Sequence, residues 1–276
     1  MKPNYRNYDI ASANTIEEKK KLETIHKTYR LQRTNITYDF NQYLINKYCT
    51  FKNRSNFWSL FSLLDNITDL SDPDTSLPNS IHALQTAEAI RNDPYTHVDW
   101  MPLVGLIHDM GKILYVNGCD ADGTSKTTQW SIVGDTYITG APIPSSIVLP
   151  ELNNYNKDHQ TGLSKYHSGC GIENTSVSFG HDEYMYRLIK ANNHKMPKSA
   201  EYIVRYHSLY AWHSETGYDY LENNEDREMK KIVKEFNKFD LYTKNDELPI
   251  KWTHDLRDFY SKLIKKYLAP DLIIKW

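Results

Sequence analysis

The sequence predicts an all-α protein, a helical bundle with a long inserted loop that carries a short β-hairpin. Two observations lead there. Apolar residues recur at helical spacing through three blocks, residues 15–70, 79–111 and 181–267, the last interrupted by Pro197, Gly217 and Pro249. Between the second and third blocks, residues 113–178 hold seven glycines and the prolines of Ala141-Pro142-Ile143-Pro144 and Leu149-Pro150, a composition that does not propagate helix. No repeat or low-complexity tract divides the 276 residues, so one domain over 1–276 is expected, with residues 1–40 as an N-terminal arm and 113–178 as an inserted lid.

Each element has its own signal. Thr15 can cap a helix whose run Glu17-Glu18-Lys19-Lys20-Lys21 reads as a solvated face, and Trp58-Ser59-Leu60-Phe61-Ser62-Leu63-Leu64 is more apolar. From Asn79 to Ala87 no charged residue appears until Glu88, which predicts a helix buried nearly all round with His82 inside it. Asp99 is expected to cap the next helix, with Pro102 tolerated in the first turn, and Leu103-Val104-Gly105-Leu106-Ile107 runs straight into His108-Asp109-Met110-Gly111-Lys112. In the insertion, Trp130–Val133 and Thr136–Ile138 read as two strands around a Gly134-Asp135 turn.

The third block places polar groups on apolar stripes. His181, Tyr184, Met185 and Leu188 share one face at i, i+3, i+4 and i+7; Pro197 suits a first helical position, and Ala200, Ile203, Val204 and His207 repeat the pattern. Met229, Ile232, Val233 and Phe236 form an inner face whose next position is Asp240, while Lys230, Lys231, Lys234 and Glu235 point away.

Composition excludes several classes of function. Thirty-three Lys and Arg against 35 Asp and Glu leave a net charge of -2, without the basic field that nucleic acid or an anionic membrane needs. No apolar run approaches the length of a membrane span, the first residues lack a signal-peptide core, and the three cysteines are irregularly spaced, so a cytoplasmic protein with reduced thiols is expected. Nothing demands more than a monomer.

An isolated buried aspartate would take up a proton rather than stay charged, and unpaired buried imidazoles are also costly. Delivered together by five helices, His82, His108, His181, His207, Asp109 and Asp240 can neutralise one another around metal. Four imidazoles and two carboxylates with no cysteine argue against a thiolate site and suit iron or manganese. Six ligands exceed what one catalytic ion with open positions needs but fit two ions if a carboxylate bridges them, Asp109 beside His108 being the natural choice. Redox iron and two-metal hydrolysis are both compatible with this set. Lys112, on the same side of the helix end as His108 and Asp109, is either a substrate anchor or a C-terminal helix cation. His213 follows His207 closely enough to support it.

The pattern His82, His108-Asp109, His181, His207, Asp240 resembles the HD-domain superfamily. Flanking blocks narrow it: Tyr5-Arg6-Asn7-Tyr8, Ser71-Asp72-Pro73-Asp74, Leu77-Pro78-Asn79, His82-Ala83-Leu84-Gln85-Thr86-Ala87-Glu88, Gly180-His181-Asp182-Glu183-Tyr184, Arg205-Tyr206-His207-Ser208 and Phe236–Lys244 look like the myo-inositol oxygenase family. That resemblance implies an HD-domain-like bundle and a mixed-valent Fe(II)/Fe(III) pair bridged by Asp109. It places His82, His108 and Asp240 on one iron and His181 and His207 on the other. It implies O2 as co-substrate and myo-inositol as substrate, cleaved between C1 and C6 to D-glucuronate, with Asp109 and Lys112 in catalysis. Contacts to the polyol would come from Arg6, Asp69, Lys112, Gly134, Asp135, His207 and Ser208. Two rivals stand beside it. A two-metal HD phosphohydrolase should gather Arg and Lys around the metals, where the inner faces offer chiefly Lys112; a non-catalytic protein stapled by metal should have a closed site.

Overall fold

The computed structural model describes residues 6–74, 77–242 and 250–276. Helix α1 (Ile16–Asn35) starts with the Thr15 cap: the Thr15 hydroxyl accepts from the Glu18 N–H and the Glu18 carboxylate answers the Thr15 N–H, a capping box. Then follow α2 (Tyr38–Tyr48), strand β1 (Arg54–Asn56), α3 (Phe57–Phe61), α4 (Asn79–Asn92) and α5 (Met101–Ile107). A 3₁₀ segment over Met110–Asn117 leads into the insertion, which holds β2 (Ile138–Thr139), the short α6 (Lys157–Gln160) and β3 (Ser176–Val177). The rest is α7 (His181–Ala191), α8 (Lys198–Tyr206), α9 (Tyr210–His213), α10 (Asn224–Tyr242), α11 (His254–Tyr267) and β4 (Ile273–Lys275), which pairs antiparallel with β1. Among the described residues no helix is long and apolar enough to cross a membrane.

One apolar cluster unites most of these helices, while Leu22, Ile25 and Tyr29 of α1 form a second, smaller one with Leu152. Leu84 and Ala87 of α4, Leu103 to Ile107 of α5, Met185 and Leu188 of α7, Ile203 and Val204 of α8, and Val233 and Phe236 of α10 all lie within the larger one. Helices α4 and α5 pack closely because Gly105 lacks a side chain: a Cβ there would stand 2.9 Å from the Ala87 Cα. That approach brings His82 and His108 onto the same side of the core.

Three local expectations fail, two of them because a backbone or side-chain group is used elsewhere. The hairpin around Gly134-Asp135 does not form; β2 pairs instead with β3, Ile138 opposite Val177 and Thr139 opposite Ser176. Residues 130–133 make turns, and the Ile132 carbonyl accepts from the His181 N–H at 2.8 Å while the Thr136 N–H donates to the Ser208 carbonyl at 2.9 Å, so this backbone holds other segments. Asp99 does not cap α5, whose N-cap is Trp100 without a side-chain bond; the Asp99 carboxylate accepts from Lys266 and Tyr267 and ties down the end of α11. Pro197 sits one position earlier than expected, as the extended residue before α8. The expected break at Pro249 lies outside the described residues.

Candidate metal centre

The six groups converge. His82 comes from α4, His108 caps α5, Asp109 follows it, His181 opens α7, His207 caps α8 and Asp240 stands near the end of α10. None is more than 5% exposed. Asp109 faces two ways. Its Oδ2 lies 3.8 Å from His82 Nε2 and 3.7 Å from His108 Nε2, and its Oδ1 lies 3.2 Å from His181 Nε2 and 3.9 Å from His207 Nε2. Asp240 Oδ1 completes the first side at 2.8 Å from His82 Nε2 and 3.4 Å from His108 Nε2. His181 and His207 approach to 3.2 Å between their Nε2 atoms on the second.

The far sides of the rings decide what the near sides can do. His108 Nδ1 meets the Gly105 carbonyl at 2.8 Å, His181 Nδ1 the Ile132 carbonyl at 2.6 Å, and His207 Nδ1 the Val204 carbonyl at 3.1 Å. A carbonyl only accepts, so each Nδ1 carries the hydrogen and each Nε2 is the atom that turns inward, where it can hold a metal ion through its lone pair or, without one, a proton. His108 Nε2 is buried with no hydrogen-bond partner at all. Lone pairs facing lone pairs and carboxylates at such distances repel unless cations lie between them, and the donors present, imidazole nitrogen and carboxylate oxygen, fit first-row metal ions. The thiols of Cys49, Cys119 and Cys170 are free and outside these groups, as the absence of cysteine from the motifs predicts.

Charge says the same. Burial would raise the Asp109 carboxyl, but Lys112, His108 and hydrogen bonds from His181 and His207 outweigh it and hold it well below the usual range. Asp240 is held down against burial by His108 and His82. For His181, burial works downward, yet Asp182 and Asp109 carry the imidazole up to about 10. With Asp69 and Asp182 added, four carboxylates meet one ammonium, Lys112, leaving an excess of negative charge that bound cations would offset.

Beside this cluster lies a cavity lined by Arg6, Asp69, Lys112, Gly134, Asp135, His207 and Ser208, together with His82, Asp109, His181 and Asp240; His108 sits behind it. Lys112 is only 4% exposed and donates to Asn79 Oδ1 at 2.8 Å and Asp109 Oδ2 at 3.0 Å while pairing with Asp69 at 2.8 Å, which removes the surface helix-cation alternative. Burial would lower its pKa, and Asp109 and Asp69 raise it instead. Arg6 closes the opposite wall: its Nη2 reaches both oxygens of Asp135 at 2.9 and 2.7 Å, its guanidinium lies 3.7 Å above the Tyr210 ring, and its N–H donates to Asp74. Gly134, at φ +90°, turns the chain against Tyr29, whose hydroxyl also accepts from the Asp135 N–H. Gly134 and Asp135 are the insertion's residues at the cavity; most of the remainder packs elsewhere.

Sequence reasoning missed three participants. Asn79 holds Lys112 and Asp182 holds Ser208, but at the starts of α4 and α7 they look like ordinary first-turn polar residues. Tyr29 lies in a helix whose charge pattern reads as solvated, although it is fully buried against Asp135. His213 is buried but supports His207 through its main chain, with Nε2 2.9 Å from the His207 carbonyl, rather than through the ring.

A family described as myo-inositol oxygenase matches residues 22–276. The chain is 38% identical over 287 residues to an inositol oxygenase of Danio rerio, covering 100% of this chain and 97% of that one. It is 41% identical over 253 residues to an inositol oxygenase of Bos taurus, covering 89% and 85%. It is 36% identical over 275 residues to a probable inositol oxygenase of Oryza sativa subsp. japonica, covering 97% and 84%.

Proposed function

From the premise that the chain belongs to the myo-inositol oxygenase family, we propose that it cleaves the ring of myo-inositol between C1 and C6 with O2 to give D-glucuronate. The observation that carries this reading to particular residues is Asp109, whose two oxygens each face a pair of imidazoles. In this reading His82, His108, Asp109 and Asp240 would hold one iron, and Asp109, His181 and His207 the other. The mixed-valent pair, when bound, supplies O2 binding and the electron-transfer steps of a four-electron oxidation that needs no outside reductant.

The chain's own residues do the rest. A neutral polyol ring needs donors and acceptors together, and the cavity offers both: Asp69, Asp135 and Ser208 accept, while Lys112 and Arg6 donate. Lys112 Nζ keeps its bonds to Asn79 and Asp109 and turns its third N–H, which Asp69 holds here, to a ring oxygen, where the positive charge favours loss of that hydroxyl's proton. Arg6, spread over Tyr210 and locked to Asp135, covers the cavity and keeps bulk water from the reacting ring. All six ligands come from helices, or the turns at their ends, that share one apolar cluster, which supports a single domain.

The phosphohydrolase alternative is not favoured: the cations lining the cavity, Lys112 and Arg6, are already engaged by Asp69, Asp109 and Asp135. The test is to load the protein with iron, reduce it partly, and measure oxygen uptake, glucuronate formation and a mixed-valent paramagnetic signal perturbed by myo-inositol. One O2 consumed per glucuronate is expected. Phosphate release from phosphoesters without oxygen uptake would overturn the reading.

A further inference from the structure

Asp182 is completely buried and belongs to neither the ligand set nor the cavity lining, yet it holds Ser208, which lines the cavity. Its hydrogen bonds reach across to the turn after α8: Oδ2 accepts from the Ser208 N–H at 3.1 Å and Oδ1 accepts from the Ser208 hydroxyl at 3.1 Å. Oδ1 also stands 2.7 Å from His181 Nε2 and 3.6 Å from His207 Nε2. The Ser208 carbonyl in turn accepts from the Thr136 N–H, one residue beyond Asp135. One carboxylate therefore links α7, the His207-Ser208 turn and the insertion's edge of the cavity.

A serine hydroxyl has one hydrogen and two lone pairs. With its hydrogen given to Asp182, Ser208 shows the cavity only lone pairs. We propose that Asp182 is a positioning and specificity-determining residue that makes Ser208 an obligate acceptor, so that the ring position meeting Ser208 must carry a hydroxyl able to donate. The inference rests on the inositol reading and deepens it: the substrate class narrows to polyols with a free hydroxyl there, and a carbonyl at the same position is rejected because two acceptors then face each other in a buried site.

Asp182→Asn inverts this arrangement. The Ser208 N–H still requires an acceptor, so the amide oxygen takes the Oδ2 place and the amide nitrogen falls at Oδ1, where it donates to the Ser208 oxygen and frees the serine hydrogen to point into the cavity. The experiment compares iron-loaded wild type, D182N, S208A and the double variant, measuring KM and kcat for myo-inositol, iron content, and inhibition by a set of mono-keto inositols, one for each ring position. KM should rise about tenfold in either single variant with iron content unchanged, and the double variant should be no worse than the singles, since residues acting through one another are not additive. One keto-inositol should bind D182N more tightly than wild type.

A double variant whose loss is the product of the singles, or D182N losing iron at unchanged KM, would overturn the proposal. Should D182N fail to fold, wild type and S208A suffice: one keto position must be penalised in wild type and relieved in S208A, and its absence refutes the idea. Wild type without inositol turnover would bring down the functional reading and the inference with it; turnover with additive losses sinks the inference alone.

Discussion

Replacing Gly111 by alanine tests how the motif around His108-Asp109 works. A Cβ on Gly111 would lie 2.0 Å from the His181 carbonyl oxygen and 2.8 Å from its carbon, whereas real Cβ atoms essentially never come within 3.0 Å of such a neighbour. The 3₁₀ segment and the start of α7 must therefore separate by about 1 Å, and the obstacle is main chain that cannot rotate away. His181 Nε2 now stands 3.2 Å from both Asp109 Oδ1 and His207 Nε2; a shift of that size removes it from ligand distance. Overpacking of this kind costs about 1–3 kcal/mol, and misplacing a reacting geometry by about 1 Å costs on the order of a hundredfold in rate. Gly111→Ala should thus lose about 3–10 °C of thermal midpoint, bind less iron and lose at least about a hundredfold in kcat/KM. Calorimetry, iron analysis and oxygen uptake read the three effects. Gly162→Ala is the control: its Cβ meets nothing within 4 Å and only the left-handed φ of +65° is strained, so about 1–2 kcal/mol of stability should go while turnover stays. A Gly111→Ala enzyme with full iron and normal kcat/KM would refute the argument.

Three further outcomes are expected. Arg6→Ala strands the buried Asp135 carboxylate and removes a charge-assisted bond worth about 1.5–3 kcal/mol, so KM for myo-inositol should rise roughly ten- to a hundredfold, and Arg6→Lys should not restore it because the stacking on Tyr210 is lost; an unchanged KM in initial-rate assays contradicts this. Burial pushes the His213 imidazole down to about 3 against the raising effect of its bond to the His207 carbonyl. The unfolded chain takes a proton near pH 6.5 that the folded one refuses, so this stability is complete above about 6.5 and declines as pH falls, by about 2 kcal/mol at pH 5; urea titrations of His213→Gln should lack that slope, and parallel curves would count against it. Finally, iron at a hundred times its dissociation constant should stabilise the wild type by about 2.7 kcal/mol, roughly 5–10 °C, and Asp240→Ala should lose most of that gain; an equal shift in both proteins would remove Asp240 from the ligand set.

The helices and the ligand residues were readable from the chain because burial leaves a period. His181 to Leu188, Ala200 to His207 and Met229 to Asp240 are stripes that any helix must turn to one side, and a charged or titratable group on such a stripe needs compensation wherever the helix packs. Family resemblance added Arg6, Asp69, Gly134, Asp135 and Ser208, which have no periodic signature, and all of them line the cavity.

Other features belong to tertiary structure alone. Backbone groups of 132–136 are taken by His181 and Ser208, so the local hairpin signal lost to partners distant in sequence, and β2 found β3 instead. Asp99 went to Lys266 and Tyr267 for the same reason. Local sequence determines which groups must be buried and on which face of a helix they stand. Which carboxylate oxygen faces which imidazole, and that Asp182 rather than solvent takes the hydrogen of Ser208, depends on segments that meet only once the core has closed, because hydrogen bonds and ion pairs are decided by distances of a few ångströms that chain order does not encode.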